Sequence, residues 1–160
     1  MPVSAGDRIP AMTLKAASDE GPKDIDTGAL FGGRTVVLFS VPGAFTPTCS
    51  AKHLPGFVEK YDALKAKGVD EVVCLAVNDA FVMTAWGRMN ECLGKITMLA
   101  DGNGDFTKAL GLDMDASKHG MGIRGQRFAL VARDGVVEQV FVEEPGQYNV
   151  SSADNVLSHL

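Results

Sequence analysis

Two long apolar runs, rich in β-branched side chains, dominate the hydropathy pattern of the chain. They are RTVVLFSV, from Arg34 to Val41, and DEVVCLAVN, from Asp70 to Asn78. Continuous runs of this kind are typical of strands that a parallel sheet buries on both faces. Between the two runs, apolar side chains recur at helical spacing at Leu54, Phe57, Val58, Tyr61 and Leu64. The pattern predicts a strand, a helix and a second strand, with the helix kinked or broken at Pro55 because proline lacks the N–H donor.

The remaining sequence continues the alternation of strands and helices. Asp79 is a candidate N-cap for a helix over Ala80 to Leu93, and KITML predicts a third strand before the turn signal DGNGD,. A short helix is predicted over Thr107 to Leu112. The segment RFALVARDGVVEQVFVEE then predicts an antiparallel hairpin that turns at Asp134-Gly135,.

This order of elements predicts one α/β domain spanning residues 1–160. The last segment, SSADNVLSHL, is a predicted helix capped by Ser151 or Ser152,. Strand, helix, strand, helix, strand, hairpin and terminal helix is the order of thioredoxin-like folds, in which helices flank a mixed sheet. A chain of 160 residues, 46% of them hydrophobic, buries roughly 70% of its extended surface on folding, so we expect a single core without metal or disulfide support.

Charge and composition exclude several classes of protein. Fifteen Lys and Arg against twenty Asp and Glu give a formal net charge of −5, and the basic residues are scattered singly, so no nucleic-acid partner is expected. The longest strongly apolar stretch, Thr35 to Val41, is too short to span a membrane. The N-terminal MPVSAGDRIP lacks a secretory signal pattern, and the three cysteines form neither a C-x-x-C motif nor a zinc spacing,. We therefore expect a cytoplasmic protein with no membrane association and with at least one free thiol.

The segment VPGAFTPTCS carries the most specific chemical signal. It connects the first buried strand to the first long helix, with Cys49 at the junction. Unpaired backbone amides and the positive end of the helix dipole at such a position stabilise a thiolate. Pro42, Gly43 and Pro47 give the loop a stiff frame that would hold the Thr46 hydroxyl near the sulfur. The carboxyl end of a central strand is also where open α/β sheets bind ligands.

Pro42, Thr46 and Cys49 fit the signature P-x-x-x-T-x-x-C, and on these residues the chain resembles the peroxiredoxins. PGAFTPTCS is similar to the type II (peroxiredoxin-5-like) subfamily, and the likeness continues through GVDEVVCLAVND, FVMTAW, ADGNGDFTKALGL and RFALVARDG. The resemblance implies a thiol peroxidase without metal or organic cofactor, in which Cys49 attacks hydrogen peroxide or an alkyl hydroperoxide and becomes a sulfenic acid. It also implies a homodimer, to which the segment around Phe81 and Trp86 would contribute unless the helix buries these side chains in its own core.

The same resemblance assigns roles to further residues. Thr46 would hold the peroxide, and an arginine on a later strand would stabilise the thiolate and the transition state. Arg127, which opens RFALVARDG, is the matching arginine, and Arg124 in GMGIRG is the weaker candidate. The proline at the start of the motif would shield the site. Contacts with the substrate are expected from Pro42, Gly43 and Thr48.

The other two cysteines bear on how the sulfenic acid is reduced. Cys74 lies inside the apolar run VVCLAV, which favours a buried core thiol, and a bond to Cys49 would require the helix start to unravel. Cys92 is near a predicted helix end and could be accessible. The C-terminal QYNVSSADNVLSHL lacks the resolving cysteine of some relatives, so the resemblance implies glutathione or a glutaredoxin as reductant, with thioredoxin second. A thioredoxin-recycled enzyme in which Cys74 resolves through a Cys49–Cys74 disulfide is the alternative.

Other motifs suggest different chemistry. His53 follows Cys49 by four residues and could act as the base of a cysteine hydrolase or transferase. A redox sensor without turnover is a third class. GMGIRG matches G-x-G-x-x-G but precedes a strand, so dinucleotide binding is not expected. DGNGDF lacks the Gly and Glu of a calcium loop and predicts a tight turn, and His119 and His159 are expected at the surface.

Overall fold

A computed structural model describes residues 1–160 and contains nine strands. In chain order they are β1 (Thr13–Ala16), β2 (Lys23–Asp26), β3 (Thr35–Ser40), β4 (Glu71–Ala76), β5 (Thr97–Ala100), β6 (Asp113–Asp115), β7 (Ile123–Gly125), β8 (Phe128–Arg133) and β9 (Val136–Val142). Seven strands form one sheet in the order β2-β1-β5-β4-β3-β8-β9, and β6 with β7 forms a separate antiparallel ribbon. The pairs β3–β4 and β4–β5 are parallel and the other pairs antiparallel, which confirms the predicted mixed sheet.

Six short helices surround the sheet. They are α1 (Thr27–Phe31), α2 (Leu54–Glu59), α3 (Tyr61–Ala66), α4 (Ala80–Met89), α5 (Asp105–Ala109) and α6 (Ala153–Ser158). The predicted caps of α4 and α6 are present, because the Asp79 carboxylate accepts from the Val82 amide and the Ser152 hydroxyl accepts from the Asn155 amide,. None of the helices has the length and apolar character needed to cross a membrane.

The two faces of the sheet carry separate core clusters, as the alternation of side chains along a strand requires. On β3, Val37 and Phe39 belong to one cluster, while Val36 and Leu38 belong to the other. The first cluster is completed by α2, α4 and α6, and the second by α1 and α5. Helices thus flank both faces of a mixed sheet, which confirms the predicted thioredoxin-like α/β fold of one domain.

The helix predicted after Cys49 differs from expectation in its first turn. Residues Cys49–His53 form a π-helical turn, closed by a hydrogen bond from the Leu54 amide to the Cys49 carbonyl, and α2 begins at Leu54. Pro55 lies in the first turn of α2, where its missing N–H costs little,. The helix is interrupted at Lys60, between α2 and α3. The helix is therefore not broken at Pro55 as predicted, because the two irregularities lie before it, in the π-helical turn, and after it, at Lys60.

Two predicted helix boundaries also shift. The helix predicted over Thr107 to Leu112 is α5 and begins earlier, because the buried Asp101 carboxylate accepts hydrogen bonds from the amides of Phe106 and Thr107. Helix α4 ends at Met89, four residues before the predicted end at Leu93.

Candidate active site

The loop between β3 and the π-helical turn is fixed by a hydrogen bond within the loop and by another to the segment that follows β4. Asn78, just beyond β4, accepts from the Ala44 amide at 2.9 Å. The Thr46 hydroxyl donates to the Gly43 carbonyl at 2.7 Å. Phe45 between them has φ of 67°, in the left-handed region that non-glycine residues rarely adopt and that is frequent at functional sites. The loop is thus held in one strained conformation.

Gly43 packs closely against three side chains under this loop. A Cβ atom there would lie 3.0 Å from Arg124 Nη1 and 3.1 Å from Thr46 Cγ2, with Met121 Cε at 3.3 Å. Arg124 in turn donates to the Pro42 carbonyl at 3.4 Å. The structure therefore gives Gly43 and Arg124 places in the frame of the loop, and Gly43 is not among the residues that line the adjacent cavity.

The sulfur of Cys49 is buried beside the guanidinium of Arg127. Arg127 Nη2 donates to Cys49 Sγ at 3.1 Å, and the relative exposure of the cysteine is 0%. The amides of Thr48 and Cys49 donate to no other backbone or side-chain group, so they are free to bind an anion at the start of the helical segment. A fixed cation and free amides around one sulfur can stabilise a thiolate and the charge that develops when it attacks an oxygen.

His53 has both ring nitrogens engaged, and neither contacts Cys49. Arg127 Nη1 lies 2.8 Å from Nδ1, and the Ser151 carbonyl oxygen lies 3.0 Å from Nε2. Since a guanidinium only donates, Nδ1 accepts and Nε2–H donates to Ser151. Burial, followed by the charge of Arg127, lowers the pKa of His53 from 6.5 to about 3. The alternative of a cysteine hydrolase with His53 as base is therefore wrong, because the imidazole accepts a hydrogen bond from Arg127 and has no free nitrogen to take a proton from Cys49.

A cavity of about 500 Å³ lies next to this group and is lined by three of the predicted site residues, Pro42, Thr48 and Arg127. Its far wall consists of the loop after β9 and the turn after β6. The charged and titratable side chains on that wall are Asp115, Lys118, His119, Glu143 and Glu144. Both His119 and His159 are exposed, as predicted.

The other two cysteines are reduced and completely buried. Cys74 lies in the middle of β4, opposite Phe39 of β3, and belongs to the same core cluster as Cys49 and Cys92. Burial, with the nearby Cys92 and Cys49, raises the pKa of the Cys74 thiol well above its ordinary value. Burial also raises the pKa of Cys92 to about 11. The accessibility suggested for Cys92 is wrong, because the chain folds back after α4 and seals the thiol against Met98.

Three other sequence signals find structural explanations. Trp86 is fully buried and donates to the Ser50 hydroxyl at 3.0 Å, so it does not contribute to a surface, whereas Phe81 is 72% exposed. The GMGIRG segment enters β7 of the small ribbon and opens no helix. The DGNGDF segment is a turn, as predicted, and no group of three or more metal-ligating side chains occurs.

The contacts of His53 and the role of the chain around Ser151 are what sequence reasoning missed. Arg127, at the start of β8, binds His53 of the cysteine turn and the backbone amide just beyond β9, and His53 in turn binds the Ser151 carbonyl in the loop before α6. The spacing of four residues between His53 and Cys49 placed the imidazole near the sulfur, yet gave no signal for the arginine that lies between them.

A cysteine that follows the loop after a central strand, with its sulfur bound by an arginine next to the neighbouring strand β8, is the arrangement of a thiol-dependent redox protein with a thioredoxin-like fold. Residues 4–157 match the Redoxin family. The chain is 45% identical to peroxiredoxin-2B of Arabidopsis thaliana and 46% identical to peroxiredoxin-2C of rice, each over 160 residues and 99% of both chains. The crystal structure of reduced Prx3 from Vibrio vulnificus in complex with H2O2 superposes with a TM-score of 0.93, at 47% identity and 98% coverage of both chains. The chain belongs to the type II (peroxiredoxin-5-like) peroxiredoxins and is a thiol peroxidase.

Proposed function

We propose that Cys49 is the residue that attacks the peroxide. The observation that carries this assignment is the 3.1 Å contact between Arg127 Nη2 and Cys49 Sγ. In the proposed step the thiolate attacks one peroxide oxygen, an S–O bond forms and the O–O bond breaks. The departing oxygen takes up a proton and leaves as water or an alcohol, and Cys49 becomes a sulfenic acid.

Negative charge spreads over the sulfur and both oxygens during this displacement. Arg127 lies 3.1 Å from the sulfur, and the amides of Thr48 and Cys49 are free to donate. In the proposed step their hydrogen bonds to the developing charge strengthen, which favours the transition state over the bound peroxide. Thr46, three residues before the cysteine, is the proposed ligand of the peroxide, and Pro42 and Thr48 are the proposed walls of its site. Hydrogen peroxide and alkyl hydroperoxides are the proposed substrates, supported by the H2O2 complex of the Vibrio vulnificus relative.

The proposed reductant is glutathione or a glutaredoxin. One thiol displaces water from the sulfenic acid to form a mixed disulfide, and a second thiol releases Cys49 and leaves an external disulfide. This proposal is supported by the complete burial of Cys74 in the middle of β4 and of Cys92 in the core. Burial raises the pKa of both thiols, so little thiolate is present to attack a sulfenic acid at Cys49. Thioredoxin acting on a Cys49–Cys74 disulfide is the second proposal.

Turnover assays with defined reductants test this function. Peroxide consumption is measured with glutathione, with glutathione and glutaredoxin, and with thioredoxin and its reductase, for the wild type and for the Cys49→Ser and Cys74→Ala variants. We expect turnover with glutathione and glutaredoxin in the wild type and in Cys74→Ala, and none in Cys49→Ser. Loss of turnover in Cys74→Ala, with thioredoxin as the better reductant, would overturn the glutathione assignment.

We also propose that the protein is a cytoplasmic homodimer. Phe81, Met89 and Phe45 are large apolar side chains with 72%, 74% and 48% exposure, and exposed apolar patches of this kind mark interaction surfaces. Sedimentation velocity should show a dimer for the wild type and a monomer for Phe81→Asp. The matched control is Ile123→Asp, another exposed apolar position. Equal dissociation of both variants, or a monomeric wild type, would contradict the dimer.

A further inference from the structure

The carboxylate of Glu143, just beyond the end of β9, is buried and binds three donors from a loop that follows it. Its exposure is 8%, and its Oε2 accepts from the Asn149 amide at 2.7 Å, the Ser151 amide at 2.8 Å and the Ser151 hydroxyl at 2.7 Å. The intervening residues 144–147 are exposed. A single buried oxygen thus closes this loop and fixes the position of Ser151.

Ser151 passes this constraint to the active site through its carbonyl group. That carbonyl accepts the Nε2–H of His53 at 3.0 Å, and the opposite ring nitrogen accepts from Arg127 at 2.8 Å. The tautomer of His53 is therefore fixed at both ends, and the imidazole holds one Nη of the guanidinium while the other Nη reaches Cys49. The hydrogen bonds form a continuous chain from the carboxylate to the sulfur.

Glu143 also acts on Arg127 directly, through the backbone. The Glu143 amide donates to the Arg127 carbonyl at 3.0 Å, at the point where β8 and β9 diverge. The same loop contributes Tyr148, whose ring packs edge-on against His53 at 5.3 Å and whose hydroxyl donates to the Lys52 carbonyl at 3.3 Å. The backbone and the side chain of Arg127 are thus both tied to this one acidic residue.

From this geometry we propose that Glu143 is a positioning residue that holds Arg127 against Cys49 by way of Ser151 and His53. The inference rests on the proposed role of Arg127 at the reacting sulfur. The carboxylate does not touch Cys49, and its effect arises because a misplaced donor contributes little to a transition state that requires close geometry. Loss of the acceptor would leave three donors of the loop without a partner and release the carbonyl that orients the imidazole.

The test compares Glu143→Leu with Glu144→Leu, a matched control that removes a neighbouring acid from the same cavity but whose side chain accepts no hydrogen bond. Glu143→Leu should lower the second-order rate constant for hydrogen peroxide by about 10²-fold. It should also raise the pH midpoint at which iodoacetamide alkylates Cys49. Glu143→Gln, which keeps an acceptor oxygen, should restore most of the rate.

A double-mutant cycle separates positioning from a general loss of structure. In an Arg127→Gln background, Glu143→Leu should change neither the rate constant nor the alkylation midpoint, because the group that it positions is gone. The pH comparison is made at pH values where the other titratable groups around Arg127 and His53 carry the same charge in the variant and in the wild type. Cys49 contacts Arg127, Tyr148 packs on His53, and the remaining groups line the same cavity as Arg127: Asp115, Lys118, His119 and Glu144.

Three results would overturn the inference. They are a Glu143→Leu rate equal to that of the wild type, an equal loss in Glu144→Leu, or the same fold-loss in both Arg127 backgrounds. If Glu143→Leu does not fold, Ser151→Ala takes its place, with an expected loss of about tenfold from removal of one of the three bonds. An unchanged rate for Arg127→Gln itself would refute the proposed function and, separately from the outcome at Glu143, remove the basis of this inference.

Discussion

The buried imidazole of His53 should make the stability of the fold depend on pH in the range above the titration of most carboxylates. Folding lowers the pKa of His53 from 6.5 to about 3, because burial and the charge of Arg127 oppose protonation. Below about pH 6.5, His53 therefore binds a proton in the unfolded chain but stays neutral in the native state. The contribution of His53 is complete above pH 6.5 and is lost progressively as the pH falls towards 3.

The size of this effect follows from linkage. Each pH unit between the two pKa values costs about 1.4 kcal/mol, so lowering the pH from about 7.5 to about 5 should cost about 2 kcal/mol through His53 alone. Carboxylates contribute little to the pH dependence of stability above pH 5, because their pKa values in the unfolded chain lie at about 4. Urea unfolding at several pH values measures the loss directly.

The comparison uses His53→Gln, which does not titrate, and His119→Gln, which removes an exposed histidine. His53→Gln should be less stable than the wild type at about pH 7.5 yet lose about 2 kcal/mol less on acidification. His119→Gln should follow the wild type. Parallel curves for the wild type and His53→Gln down to about pH 5 would refute the inference that His53 is neutral and buried in the folded state.

Three further substitutions, and Arg124→Gln as a control for the first, test the site and its frame. Arg127→Gln should lower the rate with hydrogen peroxide by about 10²- to 10³-fold and move alkylation of Cys49 to higher pH. Arg124→Gln should have a much smaller effect on both measurements. Equal losses in the two variants would contradict the role proposed for Arg127. Gly43→Ala should cost about 1–3 kcal/mol in urea unfolding, because its Cβ would meet the Arg124 guanidinium at 3.0 Å,; a neutral result would show that the loop relaxes. Trp86→Phe should cost about 2–3 kcal/mol, because it removes the indole hydrogen bond to Ser50 and leaves a cavity in the core,, and an unchanged unfolding midpoint would contradict both contributions.

The central strands and the position of Cys49 at the start of the helical segment could be predicted because their signals are local. The continuous apolar runs of β3 and β4 are typical of buried strands. The hairpin turn at Asp134-Gly135 follows from the tolerance of these two residues for positive φ, which is 50° and 75° in the structure. Arg127 is preferred to Arg124 because it opens RFALVARDG and so matches the arginine on a later strand that the family resemblance implies. Each of these predictions uses residues that are adjacent in sequence.

The missed features depend on contacts between distant segments or on weak patterns. Strand β2 forms the edge of the sheet and β1 lies beside it. Each has four residues, most of them exposed, so no apolar run marks them. The pairing of His53 with Arg127, rather than with Cys49, depends on the wider π-helical turn. The approach of Glu143 and Ser151 depends on how β9 and α6 are connected, which no spacing along the chain reveals.

The most direct test of the central claim is the intact mass of the reduced protein after one equivalent of hydrogen peroxide, measured beside Cys49→Ser. We expect the wild type to gain one oxygen atom rapidly, Cys49→Ser to gain none, and added glutathione to convert the oxidised wild type into a glutathione adduct. Equal oxidation of Cys49→Ser, or loss of two hydrogens in the wild type as an internal disulfide forms, would contradict a peroxidase that acts through Cys49 and an external thiol.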